Sequence, residues 1–363
     1  MVQPALEPQR GLIGFFRLAP LLAALLLTHA AVAQQAYPGA DWQLVPPAKS
    51  GWSEAGLAEA QKRSEQLHAT GVMVVHHGAL VAEWGDTHKR TELASVRKSL
   101  LSALIGIAVA ERKISLDGTL ASLGIDDNPP PLTDVEKTAT VRMLLQARSG
   151  IYHPALYETP AMAKARPPRG SHPPGTFFYY NNWDFNALGT IYERATGTGI
   201  YDALEQQIAR PIGMQDYRPS DGKYFTGADS DHRAYPIRMS ARDLARFALL
   251  YLRNGAWSGR QVVPAAWVRE STQAYSDSTA SGIPLGYGYL WWTAPRAGDP
   301  GPLGPGWYTA WGAGGQYAFV SPACDLVVVS RVDRDKRLPE PRFGEVVDFL
   351  RLVLKAGGLD KGP

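Results

Sequence analysis

A nearly unbroken apolar run, Ser99 to Ala110 (SLLSALIGIAVA), follows directly on Ser95-Val96-Arg97-Lys98. A helix this apolar on every side is stable only when protein surrounds it, so the fold must close around it. The helix also carries chemistry into that interior. At i, i+3 spacing Ser95 and Lys98 share one helical face, which sets an amine beside a hydroxyl. A lysine drawn into such a helix needs either a partner or a depressed pKa. A serine becomes a useful nucleophile only when a neighbouring base takes its proton. Ser-x-x-Lys alone occurs on many solvated helices, and the apolar run is what gives it weight here.

Residues 1–33 have the layout of an export signal. Arg10 and Arg17 precede the apolar stretch Leu18 to Leu27, and Ala31-Val32-Ala33 offers the small-x-small pattern at which such signals are cut. The stretch is too short for a spanning helix and no later segment is long and apolar enough, so stable membrane insertion is not expected. No cysteine follows the cleavage site, which argues against a lipid anchor there. The expected location is the periplasm or the medium, after cleavage near Ala33. Lys and Arg number 37 against 34 Asp and Glu, and losing Arg10, Arg17 and Glu7 hardly alters that balance. A near-neutral chain argues against a nucleic-acid or polyanion partner. The only cysteine, Cys324, cannot form an internal disulfide, so an exported fold must rest on packing. The ~330 residues left after cleavage suffice for one large domain or two lobes.

Val72 to Val75 and Leu80 to Trp84 predict two strands joined at His76-His77-Gly78. Neighbouring strand residues point to opposite faces, so His76 and His77 are poor candidates for a shared metal. Helices are expected from Thr140 to Arg148, from Asp184 to Thr196, and after the capping box Ser240-Ala241-Arg242-Asp243. Strands return at Tyr287 to Thr293, Gln316 to Val320 and Leu326 to Arg331, and a last helix runs from Arg342 to Ala356. Strands at both ends with helices between them imply an α+β fold, an antiparallel sheet flanked by helices. Its sheet lobe draws on about 34–90 and 285–363, and a mostly helical lobe of about 91–284 is the insertion. The active site is expected between them, at the head of the Ser95 helix.

Ser95 needs a base and donors for an oxyanion. The segment Pro174 to Asn182 (PGTFFYYNN) ends just before a helix and sets the phenol of Tyr180 two residues from the amide of Asn182. Phenolate at pH 7 costs about 4 kcal/mol, and an ammonium ~4 Å away returns a similar amount at an effective dielectric of ~20. Lys98 beside Tyr180 is thus a workable base, with Asn182 orienting the lysine. Further on, Ala310-Trp311-Gly312-Ala313-Gly314-Gly315-Gln316 leads into a strand. Glycines there permit close backbone approach, and the amides of Ala313 and Ser95 together could hold an oxyanion.

Ser-x-x-Lys, Tyr-x-Asn and a glycine-containing strand motif, in that order, resemble the penicillin-recognising serine hydrolases of the β-lactamase and penicillin-binding-protein group. The resemblance is to the branch holding class C β-lactamases, carboxylesterases, D-aminopeptidases and 6-aminohexanoate-dimer hydrolases. It extends over LQARSG (Leu145 to Gly150), PGTFFYYNNWDFNALG (Pro174 to Gly189), the ARDLARFALLYL core, YGYLWW (Tyr287 to Trp292) and GAGGQYAFVSP (Gly312 to Pro322). It implies an acylated nucleophile at Ser95, its base partner at Lys98, a proton-shuttling phenol at Tyr180 and a lysine- and substrate-contacting amide at Asn182. The oxyanion hole falls to the amides of Ser95 and Ala313. β-Lactamases begin the third motif with Lys-Thr-Gly and many relatives with His-x-Gly, whereas this chain reads Ala310-Trp311-Gly312. The cation that helps hold a β-lactam carboxylate is missing, as it is in the 6-aminohexanoate-dimer hydrolases.

The leading expectation is an exported serine hydrolase that cleaves a small ester or amide through an acyl-enzyme. Such a route needs no metal or organic cofactor, and no zinc-ligand spacing is present. Trp311, Gly312, Tyr152, Trp183 and Tyr157 are the candidates to line the substrate pocket. Asp184, His153 and His172 read better as surface or capping residues. The alternatives are a β-lactamase or D,D-peptidase acting on cell-wall-like substrates and a non-catalytic binding protein on the same scaffold. The first lacks its cation, and the second would be expected to have lost one of Ser95, Lys98 and Tyr180.

Overall fold

The computed structural model describes residues 1–2, 36–128, 130–279 and 282–360, so the expected export signal lies outside the described residues. An antiparallel sheet of eight strands forms the frame of residues 36–360. Its strands are β1 (Gly71–His76), β2 (Ala79–Gly85), β3 (Ser276–Asp277), β4 (Gly286–Tyr287), β5 (Trp292–Thr293), β6 (Tyr308–Gly312), β7 (Gln316–Ser321) and β8 (Leu326–Arg331), in the order β2-β1-β8-β7-β6-β5-β4-β3. β1 pairs directly with β8, from Gly71 opposite Arg331 to His76 opposite Leu326. The first strands of the chain are thereby closed onto the last. Val72 to Val75 and Leu326 to Val329 are buried on both faces. A strand buried on both faces loses the apolar–polar alternation, which is why these segments are continuous apolar runs.

The hairpin between β1 and β2 turns at His77 (φ 52°) and Gly78 (φ 80°), the paired left-handed conformations whose twist suits a two-residue hairpin. Helices α1 (Glu54–Gln66) and α5 (Phe343–Ala356) pack against each other. α2 (Arg97–Ala110), α3 (Asn182–Thr196) and α4 (Ala241–Leu252) complete the main helices, with α4 lying on β1, β7 and β8. Ser240 caps α4 by accepting from Asp243 N at 3.2 Å, and Asn181 caps α3 through Trp183 N at 3.0 Å. α2 is buried along nearly its whole length, as its composition requires.

Two differences from the sequence expectation bear on the site. Tyr287 to Thr293 is a hairpin rather than one strand. Leu290 turns left-handed (φ 64°) and Gly288 N donates to Trp291 O at 2.8 Å. A side chain at Gly288 would sit 2.2 Å from Ser271 O, so the glycine admits the turn where an apolar run suggested extension. The second difference is at the lobe boundary. The sheet takes in Ser276–Asp277, upstream of residue 285, and through β4 and β5 carries aromatic rings over the head of α2. Ser99 Oγ ties the new turn to α2 by donating to Leu290 O at 2.8 Å.

Candidate active site

Ser95 sits in a single 3-10 turn, Ala94–Val96, that runs straight into α2. Ala94 adopts φ 47°, a conformation unfavourable for a residue with a Cβ, immediately before the serine. Lys98 lies one turn further on. Its Nζ is 2.8 Å from Ser95 Oγ and 2.7 Å from the Tyr180 phenol oxygen. The amine also lies 4.3 Å from the centre of the Tyr180 ring and 4.6 Å from that of Phe185. Three side chains far apart in sequence thus meet at one point.

Burial decides how that cluster is protonated. It pushes Lys98 well below the ordinary lysine range, and the neighbouring Arg97 charge pushes further the same way. Burial also raises Tyr180 to about 12, opposed in part by its bond to Ser95 and by Arg97. Burial thus pushes both members of the pair toward their uncharged forms. This opposes the ammonium–phenolate pair that a Coulomb estimate alone suggests, because taking two charges out of water costs more than their attraction returns. Tyr180 is held by stacking on Trp292 (5.3 Å, 26°) and by edge contact with Tyr287 (5.8 Å).

Asn182 opens α3 at the same place, but its amide makes its hydrogen bond elsewhere than to the lysine. Nδ2 donates to Tyr157 O at 2.7 Å, and Oδ1 is buried without a hydrogen-bond partner. No bond joins Asn182 to Lys98 among the described residues. Gly312 serves by having no side chain. A Cβ there would lie 2.5 Å from Leu93 O and 2.9 Å from Ser95 N, so β6 approaches the serine turn at backbone contact. The next residue, Ala313, faces the cavity, and its carbonyl accepts from Arg334 Nη1 at 3.1 Å. Gly312 thus spaces the strand and is absent from the cavity wall.

The cavity over Ser95 measures about 800 Å³. Phe178, Tyr180, Trp292, Trp311, Met162 and Phe225 make its wall mainly apolar, while Ser95, Asn182, Arg97, Arg334 and the carboxylates Glu158, Asp229 and Glu340 add polar and charged points. Trp311 stacks on Phe343 (5.1 Å) and packs against Trp292 (5.3 Å). Tyr157 also lines the cavity, as expected from the sequence. Trp183 and Tyr152 do not. Trp183 follows Asn182 by one residue, a rotation of about 100° on the helix that turns it into the core. There it is fully buried and its Nε1 donates to Asp127 Oδ2 at 2.6 Å. Tyr152 is spent on edge contacts with Tyr179 (5.7 Å) and His172 (6.1 Å). Asp184 accepts from Ser149 Oγ at 2.6 Å and from Asn181 Nδ2 at 3.1 Å, buried away from the cavity. His153 lies 3.6 Å from both Asp127 and Glu136, and His172 stacks on Phe177 at 4.0 Å. Trp292, Met162 and Arg334 were not singled out in the sequence. Of these only Trp292 had a signal there, the YGYLWW run.

Comparison with known proteins accords with this geometry. An uncharacterized protein of Alkalihalophilus pseudofirmus is 24% identical over 268 residues, covering 65% of this chain and 74% of the relative. The structure described as "Putative 6-aminohexanoate-dimer hydrolase from Bacillus anthracis" superposes with a TM-score of 0.66 at 20% identity, covering 91% of each chain. A β-lactamase from Mycobacterium bovis gives a TM-score of 0.55 at 23% identity, over 82% of this chain and 99% of that one. A penicillin-binding protein homologue from Caulobacter crescentus gives 0.62 at 16%, over 84% and 99%. At these identities the structures share the fold. The model of the family described as Beta-lactamase matches residues 55–350, most of the chain, and this protein belongs to that family.

Proposed function

We propose that this chain is an exported serine hydrolase that cleaves a small ester or amide through an acyl-enzyme on Ser95. The observation that carries the reading is one buried amine, its charged form disfavoured by burial, within hydrogen-bond distance of both a serine hydroxyl and a phenol. In the acylation step the Lys98 lone pair takes the Ser95 proton while Oγ bonds to the substrate carbonyl carbon. The carbonyl oxygen becomes an oxyanion facing the Ser95 and Ala313 amides. Tyr180 gives its proton to the leaving alcohol or amine as that bond breaks, and Lys98 returns a proton to Tyr180. Water then repeats the sequence against the acyl-enzyme, releasing the acid and restoring the Ser95 hydroxyl.

The test is turnover of p-nitrophenyl esters, 6-aminohexanoate dimers and nitrocefin by purified protein, with Ser95→Ala as control. A fluorophosphonate should label the native chain and leave Ser95→Ala unlabelled; labelling that persists in the variant removes the nucleophile assignment. A non-catalytic scaffold would show neither turnover nor labelling. Nitrocefin should be hydrolysed at least about 100-fold more slowly than the best ester. Ala310 stands where the third motif would carry the β-lactam-binding cation, and nearby Arg334 is engaged by Ala313 O and lies 3.8 Å from Glu92. Turnover of nitrocefin matching that of esters would favour the β-lactamase alternative. Export is checked by the N-terminus of secreted protein, expected just after Ala33.

Tyr180→Phe keeps the ring stacking and removes only the proton relay. It should cost at least about a hundredfold in turnover with the melting midpoint little changed, and unchanged turnover would take the phenol out of the mechanism. Because the base must be uncharged, activity should rise with pH through the depressed Lys98 pKa and lose one proton along that limb.

A further inference from the structure

Arg97 is nearly fully buried beside Lys98, yet it makes no ion pair among the described residues. Its Nη1 donates to Ala94 O at 3.0 Å, while Nε and Nη2 have no hydrogen-bond partner. The rings of Tyr157 and Tyr235 flank the guanidinium at 5.1 Å and 5.2 Å. Burying an unpaired cation opposes folding, and an apolar side chain would fill the same space more cheaply. A fold that retains it at this point is using it. We propose that Arg97 is a positioning residue for the hydrolysis, bracing the turn under Ser95 and setting a fixed positive charge beside the Lys98 amine.

The bracing follows from the geometry. Ala94 is held left-handed immediately before the serine, and the Arg97 bond to its carbonyl spans that strained turn from the first residue of α2. The Ser95 amide, one of the two oxyanion donors, leaves this same turn. The charge argument needs only chemistry. Two like charges on adjacent buried residues with no counter-ion cannot both persist. A guanidinium does not release its proton in proteins and an ammonium does, so Lys98 yields.

The cavity that Arg97 and Ser95 line also carries the carboxylates Glu158, Asp229 and Glu340, and among the described residues none of them is within ion-pair distance of Arg97. Tyr180 meets Lys98 from the segment before α3, and Tyr287 packs edge-on to Tyr180 from β4. Tyr157, Tyr235 and Tyr201 surround Arg97, and burial raises Tyr235 and Tyr201 away from ionisation. Glu92 lies beyond Tyr157, accepting from its phenol and facing Arg334. Asp184 lies in α3 with burial holding its carboxyl well above the usual range.

The experiment is the pH dependence of kcat/KM on an ester hydrolysed by the native chain, measured for Arg97→Gln and Arg97→Lys. Arg97→Gln removes the charge and should raise the midpoint of the acid limb by about one pH unit. Arg97→Lys keeps the charge, so it should lower the plateau, about tenfold, and leave the midpoint in place. A midpoint unmoved in Arg97→Gln, or moved equally in both variants, overturns the proposal. Should Arg97→Gln not fold, Tyr157→Asp sets a carboxylate over the guanidinium without deleting it, at a left-handed position (φ 64°) that aspartate tolerates. It should raise the midpoint likewise, and an unmoved midpoint there counts against the proposal equally. The inference rests on Ser95 as nucleophile. A native chain with neither turnover nor labelling defeats that reading, whereas an active native chain with unmoved midpoints defeats only the role of Arg97.

Discussion

Lys98→Met should lower turnover by about 10³-fold or more while making the protein more stable. The activity loss follows from removing the amine bonded to both Ser95 and Tyr180, since a positioned base contributes ~10²–10⁴ in rate. The stability gain follows from proton linkage. At pH 7 the unfolded chain holds Lys98 protonated near its ordinary pKa, while burial in the folded chain disfavours that charged form. The unfolded state then binds more protons, and folding bears a cost of about 1.4 kcal/mol for each unit by which the pKa is lowered. That cost fades as pH rises toward the ordinary lysine pKa, so stability contributed through this group climbs between the folded and unfolded pKa values. Methionine has a similar length, fills the space without a charge and removes the term. Urea unfolding at pH 7 and pH 9 should show a higher midpoint for Lys98→Met, with a smaller gain at the higher pH. A midpoint that falls at pH 7 would show that Lys98 is not held uncharged.

Gly312→Val should lower kcat by about 10² or more, a loss of the size that follows removal of one oxyanion donor. A Cβ at this position meets Leu93 O at 2.5 Å and Val96 N at 3.1 Å, both backbone atoms unable to rotate aside. β6 must then move away from the serine turn, carrying the Ala313 amide with it. Because Trp311 and Trp292 hold the cavity wall through their own ring contacts, KM should change far less than kcat. Equal losses in both would place the damage in substrate binding instead. Far-ultraviolet circular dichroism and a melting curve separate this outcome from loss of the fold.

Much of the arrangement was legible because it rests on local periodicity. The i, i+3 spacing of Ser95 and Lys98, the apolar run behind them and the capping box at Ser240 all act within a turn or two of helix. The closing of the sheet by both ends of the chain was legible too, since two-face burial leaves the same apolar signature in β1 and β8. Trp183 and Tyr152 show where that kind of reading ends. A large aromatic beside a catalytic motif looks alike whether it faces a substrate or a neighbour in the core. Only the turn of α3 sends Trp183 to Asp127 and leaves Trp292, delivered by a hairpin more than a hundred residues later, to cover Tyr180.

The amino-acid sequence by itself brought forward the side chains proposed to carry the chemistry, the elements that bear them and the strand motif that approaches the serine. The tertiary structure alone decided the direction in which Lys98 and Tyr180 shift, because a pKa depends on how completely the rest of the chain excludes water from them. It also decided which way Asn182 turns and which rings form the cavity, since long-range packing sets those directions and sequence spacing cannot encode them.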